Sequence, residues 1–175
     1  MAARRLALLA LTLSACRANG GVAPRTVEPI EFSERETSGN RLIVVRYPTG
    51  FLKVVREDAV FLFGPMGGSV RFDVESRPTS EDPNQLASAM PCPEPQTGIV
   101  TDRTQKTASC FGGLPGLERS CLFTPNGEPN NQHFSWECLF VKNHHRFSFG
   151  YSVPTANRAE MAPLLQSVIA AGEAN

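Results

Sequence analysis

The chain has 175 residues, and 17 lysines and arginines balance 17 aspartates and glutamates, so its formal net charge is zero. A near-neutral chain lacks the basic surface that nucleic-acid binding requires, and we predict no nucleic-acid partner. The length suits one domain with a hydrophobic core, to which eleven phenylalanines contribute.

The first sixteen residues have the organisation of a secretory signal. Arg4 and Arg5 precede a short apolar run over residues 6–13, and small residues then lead to Cys16. The run is far shorter than the roughly 20 apolar residues that cross a bilayer. It therefore predicts an export signal rather than a membrane-spanning helix.

The ending Leu13-Ser14-Ala15-Cys16 resembles the lipobox of bacterial lipoproteins. The resemblance implies that residues 1–15 are removed and that Cys16 receives a diacylglycerol and an acylated amino group. In that family Arg17, in place of aspartate, implies transport to the outer membrane. Ordinary signal cleavage, with Cys16 incidental, is the alternative. Because several acyl chains anchor a protein stably, we expect it at the outer membrane, facing the periplasm.

A polar segment rich in glycine and proline follows the leader. Residues 16–39 are predicted to be the lipidated cysteine and a flexible tether, with a reach on the order of 25 Å. Within this segment, residues 27–32 are a candidate edge strand. Folding signals begin at Arg41, and we predict a single globular domain over residues 40–175.

Four strands are predicted in the first half of the domain. Three are β-rich runs bounded by turns or charged pairs, over residues 42–47, 51–55 and 59–63. Residues 69–75 alternate between apolar and charged side chains, which is typical of a half-buried antiparallel strand. Asp82 and Pro83 then predict the start of a short helix that ends near Met90.

A hairpin turning at Asn143-His144 is strongly specified. Its apolar face would contain three facing pairs of large side chains, and these are Phe134 with Val153, Trp136 with Tyr151 and Phe140 with Phe147. Cys138 would face Phe149. The other face would carry polar residues, which are Ser135, Glu137, Arg146, Ser148 and Ser152. A shift of one residue would bury this polar set, so the register is fixed.

Besides Cys16, the chain has the four cysteines Cys92, Cys110, Cys121 and Cys138. An even number in an exported chain favours two disulfides, and no close pair suits zinc. Three pairings are possible, and we favour Cys92–Cys110 with Cys121–Cys138. A strand over residues 117–123 that places Cys121 opposite Cys138 also places Phe123 opposite Trp136.

Apolar residues recur at helical spacing near the C-terminus, at Met161, Leu164, Leu165, Val168 and Ile169. Pro163 is awkward within a helix, so the helix begins near Ala162 or meets an earlier turn from Asn157 at a kink. In both cases it packs on the sheet. We predict an α+β fold, with a two-layer antiparallel sheet and a C-terminal amphipathic helix on one face.

The order of elements resembles the PsbP and DcrB type of fold over about residues 40–172. The resemblance is carried by a strand leading to Tyr47-Pro48-Thr49-Gly50-Phe51, a meander, the run Gly112-Gly113-Leu114-Pro115-Gly116, an aromatic hairpin and a closing helix. It implies an accessory, assembly or partner-binding role without catalysis. No functional residue is carried over with it.

Residues with catalytic or metal-binding side chains form no recognisable motif. His144 and His145 are adjacent in a turn and would point apart, so we predict no metal site. Without G-x-S-x-G, a hydrolase using His133 is the remotest alternative. Asp73 and Glu75 share a strand face as a conceivable acid–base pair, although solvated ion pairs are favoured. The glycine-rich loops at residues 64–68 and 112–116 are candidates for a binding rim.

We therefore predict a membrane-anchored accessory lipoprotein that binds another envelope protein, with no catalytic site and no cofactor. The alternative is a carrier of a small apolar ligand. Its candidate binding face is the aromatic stripe formed by Phe134, Trp136, Phe140, Phe147, Phe149 and Tyr151. Such a stripe more often forms the core beneath a helix.

Overall fold

The structure is a computed structural model that describes residues 31–38, 41–75 and 98–175. Within these ranges the strands are β1 (Glu34–Ser38), β2 (Ile43–Tyr47), β3 (Leu52–Val55), β4 (Ala59–Phe63), β5 (Ser69–Val74), β6 (Gly98–Ser109), β7 (Pro115–Pro125), β8 (His133–Lys142), β9 (His145–Pro154) and β10 (Glu173–Ala174). One α-helix is described there, α1 (Arg158–Ala170). The predicted leader, Cys16, the short helix after Asp82 and Cys92 lie outside the described residues.

The described strands form two antiparallel sheets. The larger has seven strands in the order β3-β4-β5-β9-β8-β7-β6, and the smaller has three in the order β1-β2-β10. Helix α1 packs on β9, β5 and β2, so the helix and the small sheet cover one face of the large sheet. The α+β fold class, with a C-terminal helix on one sheet face, is confirmed.

The β8–β9 hairpin has the predicted register. Trp136 pairs with Tyr151, and Phe140 pairs with Phe147. Asn143 and His144 form the turn with φ values of 50° and 63°, the left-handed conformation that matches the twist of the two strands. Alternation of side chains and a two-residue turn were therefore sufficient to define this element.

The core lies between the large sheet and α1. Val70, Phe72 and Val74 of β5 are buried as predicted, and the ring of Phe72 meets that of Phe149 edge-on at 4.9 Å. From the other layer, Leu165 is fully buried. The helix begins at Arg158, directly after a 3₁₀ turn over Thr155–Asn157, so the earlier of the two predicted starts is found.

Two elements differ from the predicted organisation. β6 was not predicted, because its polar side chains give little alternation, and it is the mostly exposed last strand of the large sheet. β1 lies within the segment assigned to the tether but pairs with β2, so the folded part begins before residue 40. Of the candidate strand at 27–32, only residues 31 and 32 are described, and they are not in a strand.

The favoured cysteine pairing is wrong. Cys110 is bonded to Cys138, with the two Cα atoms 5.9 Å apart, so neither Cys92–Cys110 nor Cys121–Cys138 forms. In the β7–β8 register Cys121 pairs with Ser135, and Glu118 with Cys138. The true register differs from the predicted one by three residues. An odd difference places Cys121 and Cys138 on opposite faces of the sheet. Cys121 belongs to a separate disulfide.

Candidate binding cleft between the helix and the sheet

Five of the six aromatic residues in the predicted binding face lie in the core. These are Phe134, Phe140, Phe147, Phe149 and Tyr151, each at most 8% exposed. Phe140 and Phe147 stack with centroids 5.3 Å apart, and the neighbouring rings meet edge-on. Such packing leaves no room for a ligand among them. Trp136 differs from the other five, because it is only half-buried.

Trp136 borders a cleft beside the C-terminal half of α1. The cleft has a volume of about 480 Å³ and is open to solvent. Its lining is mainly apolar and consists of Gly112, Trp136, Gln166, Ile169, Ala170 and Gly172. This size and character match sites that receive a small ligand or a side chain of a partner protein.

The indole of Trp136 is held by its neighbours. It stacks on Tyr151, with ring centroids 5.7 Å apart and planes inclined by 27°. Gln166 of α1 donates a hydrogen bond to the Tyr151 hydroxyl at 3.3 Å. Burial raises the pKa of Tyr151, so its hydroxyl stays protonated at neutral pH. The sheet wall of the cleft is thus linked to the helix wall.

The Cys110–Cys138 disulfide supports the rim of the cleft that carries Gly112. It attaches the turn that follows β6 to the middle of β8. Within that turn the amide of Cys110 donates to Leu114 O at 2.7 Å, and Gly112 adopts φ 64°. At Gly116 an added Cβ would lie 2.5 Å from Cys110 Sγ, so only glycine allows this close approach. Gly112 is thereby held beside Trp136.

Of the residues that line the cleft, two were predicted from the sequence as candidate binding residues, in separate places. Trp136 belonged to the aromatic stripe, and Gly112 to a candidate rim loop. Gln166 and Ala170 carried no signal, since they lie on α1 outside the buried stripe. The helix must be docked before these side chains come together, and sequence spacing does not report that docking.

A buried ion pair lies on the other face of the large sheet. The guanidinium of Arg119 contacts the carboxylate of Glu137, and their side chains are 7% and 5% exposed. Ser148 donates to Glu137 Oε2 at 3.1 Å. Burial, with a smaller effect from Arg146, lowers the pKa of Arg119 to about 10. Glu137 and Ser135 lie on the predicted polar face of the hairpin, and both are buried.

The two carboxylates considered for acid–base chemistry have separate arginine partners. Asp73 contacts Arg71, and Glu75 lies 3.4 Å from the guanidinium of Arg146. Burial raises the pKa of Asp73, and this effect outweighs the opposing influence of Arg71. The two groups are thus used in ion pairs rather than facing a common space.

Asp73 makes stability depend on pH. Because its folded pKa is raised, we expect its contribution to be full below the unfolded pKa, about 3.9, and to be lost as pH rises through the folded pKa. Asp73→Asn should remove this dependence. Urea unfolding of both proteins between about pH 3 and 7 tests it. Parallel stability curves for the two proteins would contradict the assignment.

The histidines have local roles in the structure. His133 Nε2 lies 3.1 Å from Asn131 Oδ1, and His145 Nδ1 lies 3.3 Å from Glu75 O. His144 occupies the β8–β9 turn. Across residues 31–38, 41–75 and 98–175, no three metal-ligating side chains come together. In the same ranges no helix is long and apolar enough to cross a membrane.

Comparison with known proteins identifies the fold but no family. No protein-family model matches the sequence, and no curated protein is significantly similar to it. A crystal structure from Bacteroides thetaiotaomicron is similar at TM-score 0.55 and 16% identity, over 83% of this chain. The match spans about half of that protein, 49%. The solution structure of cyanobacterial PsbP (CyanoP) from Synechocystis is similar at TM-score 0.50 and 9% identity, over 81% of this chain and 92% of that one. The PsbP-like fold is therefore supported.

Proposed function

We propose that this protein is a lipid-anchored accessory module of the bacterial envelope that binds a partner protein through the cleft beside Trp136. The lipobox-like ending at Cys16 supports an anchor at the outer membrane, on the periplasmic side. The PsbP-like fold is consistent with a non-catalytic module. The open cleft carries the proposal, because it is an apolar concavity that includes a large aromatic side chain.

The walls of the cleft are suited to a protein partner. Trp136 is stacked on Tyr151, which is bonded to Gln166, so little side-chain freedom is lost when a partner binds. Tryptophan is also enriched among the residues that dominate binding energy at interfaces. An apolar side chain of the partner would fill the cleft and contact Ile169.

Trp136→Ala should weaken the partner complex by about 2 kcal/mol or more, roughly thirtyfold in affinity. Tagged full-length protein is cross-linked in its native membranes, purified and analysed by mass spectrometry. A single enriched partner, lost in Trp136→Ala, is the expected result. Ile99→Ala is the matched control, since Ile99 is apolar, 64% exposed and outside the cleft. Equal recovery of the partner with both variants would refute the cleft as its site.

The lipid anchor is tested separately. The native protein should enter the detergent phase on Triton X-114 partition, and Cys16→Ser should stay in the aqueous phase. The intact mass should include the acyl chains. A native protein that partitions with the aqueous phase would exclude lipidation without affecting the argument for the cleft.

A carrier of a small apolar ligand is the second candidate, favoured by the cleft volume of about 480 Å³. Trp136 is the single tryptophan of the chain, so intrinsic indole fluorescence reports directly on the cleft. Titration with a fatty acid should then change the emission of Trp136. Unchanged emission, together with no lipid in organic extracts of the purified protein, would exclude the carrier role.

A further inference from the structure

Four apolar side chains are exposed at one corner of the large sheet. These are Leu52 (75% exposed), Val54 (45%), Phe63 (45%) and Met66 (43%), and we call them the apolar corner. β3 is the end strand of the sheet, and Leu52 pairs with Phe63 of β4. Phe63 points away from the face covered by α1, because it alternates along β4 with Leu62, which is buried on that face. Leu52 pairs with Phe63 and therefore lies on the same side of the sheet, as does Val54. Exposed apolar side chains grouped in this way are a candidate contact surface.

Met66 is displayed at a backbone position that disfavours it. Its φ of 55° lies in the left-handed region, where glycine or asparagine would be less strained. Asn157 donates a hydrogen bond to Met66 O at 3.0 Å and so ties the loop to the start of α1. The loop therefore presents a large exposed apolar side chain from a fixed backbone.

Charges around the corner are balanced. Arg56 and Arg71 lie over the ring of Phe61, at 5.4 and 5.5 Å from its centroid. Glu57 and Asp58 follow Arg56 in the chain, and Asp73 contacts Arg71. The corner thus offers apolar area without a strong charge of either sign.

The corner lies close to the point where the chain enters the domain. Ser33 Oγ is 2.8 Å from Thr49 Oγ1 in the turn before β3. Thr49 precedes Leu52 by three residues, so their Cα atoms are at most about 10 Å apart. Residues 16–30 are the only residues between the predicted lipid on Cys16 and the described chain, and a stretch of that length spans at most about 50 Å. The proposed anchor would therefore be joined to the domain beside this corner.

We infer that the apolar corner contacts the lipid bilayer in which the Cys16 acyl chains are inserted. The inference rests on the proposed lipid anchor. Few side chains are involved, so the contact is weak by itself. The anchor raises the effective concentration of the membrane and makes a weak contact persistent. Since the corner has little net charge, the contact is expected to depend little on anionic lipid or salt. It leaves the cleft beside Trp136 accessible.

The opposite edge of the same sheet provides an internal control. β6 is rich in polar and charged side chains, which is how soluble edge strands avoid association. Ile99 of β6 is 64% exposed, within the range of the corner residues. Labelling of Ile99 therefore reports how accessible the protein surface is to the reagent in general, independent of any contact at the apolar corner.

The test is hydroxyl-radical footprinting of the full lipoprotein in vesicles of phosphatidylethanolamine and phosphatidylglycerol, compared with soluble Cys16→Ser protein. Labelling of Leu52, Phe63 and Met66 should fall severalfold in vesicles, while labelling of Ile99 stays constant. The protection of these residues from labelling should persist when the ratio of protein to lipid in the vesicles is lowered. Protection that is lost on dilution would indicate contact between copies and overturn the inference.

A second variant separates the corner from the anchor. Leu52→Ser/Phe63→Ser replaces exposed side chains, so the fold should be retained, and flotation with vesicles should be unchanged. Met66 should then be labelled as strongly as in the soluble protein, whereas Ile99→Ser should have no effect on Met66. If the native lipoprotein floats with vesicles but its Met66 is labelled as strongly as in the soluble protein, the corner contact is overturned and the lipid anchor is not. Failure of the native lipoprotein to float would refute the anchor and, with it, this inference.

Discussion

Arg119→Met is expected to lower the free energy of unfolding by about 3 kcal/mol or more. The substitution removes the guanidinium from a carboxylate that is 5% exposed, and leaves Glu137 with Ser148 as its remaining described donor. A buried carboxylate without its cation carries the full cost of desolvation. Urea unfolding at pH 7 measures the loss.

The chain offers a matched control on the neighbouring strand. Lys106 of β6 pairs with Glu118 of β7 at 3.2 Å, and the lysine side chain is 68% exposed. Lys106→Met should change stability by less than about 1 kcal/mol, since exposed ion pairs contribute little. Equal effects of Lys106→Met and Arg119→Met would contradict the role of burial. Arg119→Met/Glu137→Leu should recover much of the stability, because no unpaired charge remains.

Replacement of Cys110 and Cys138 by serine is expected to cost about 3–4 kcal/mol of stability. The bridge spans 28 residues, and its loss frees the unfolded chain. The emission of Trp136 should also change, because the turn that carries Gly112 is no longer attached to β8. Non-reducing peptide mapping checks the bridge itself. Cleavage beside Phe134 separates Cys121 from Cys138, and a fragment joining Cys121 to Cys138 would contradict the structure.

Local pattern was enough to predict much of the sheet. In the β8–β9 hairpin, each apolar residue has an apolar partner across a two-residue turn, and one register satisfies all of them. β4 and β5 were also predicted from local signals, β4 from a β-rich run between a charged pair and a glycine-rich turn, and β5 from its alternation. These elements depend on contacts between neighbours in the chain, which sequence spacing reports directly.

The β7–β8 pairing shows where local pattern fails. The loop between β7 and β8 is longer and left the register open, and the predicted register relied on the match of Cys121 with Cys138 and of Phe123 with Trp136. The structure buries Arg119 with Glu137 instead. A sequence shows that two residues are charged, but not that they neutralise each other within the fold. The cleft was hidden for a related reason, since it exists only after α1 docks.

The pairing of β5 with β9 in the large sheet has a consequence for how the protein folds. Strands β3, β4 and β5 follow one another as hairpins, and so do β6, β7, β8 and β9. Among the described strands, the two meanders pair with each other where β5 meets β9, through residues far apart in the chain such as Phe72 and Phe149. Closing that long loop is entropically costly, so each meander can form before β5 pairs with β9. The pairing of β5 with β9, which includes the edge-on contact of these two rings, is thus the contact that joins the two meanders into one sheet.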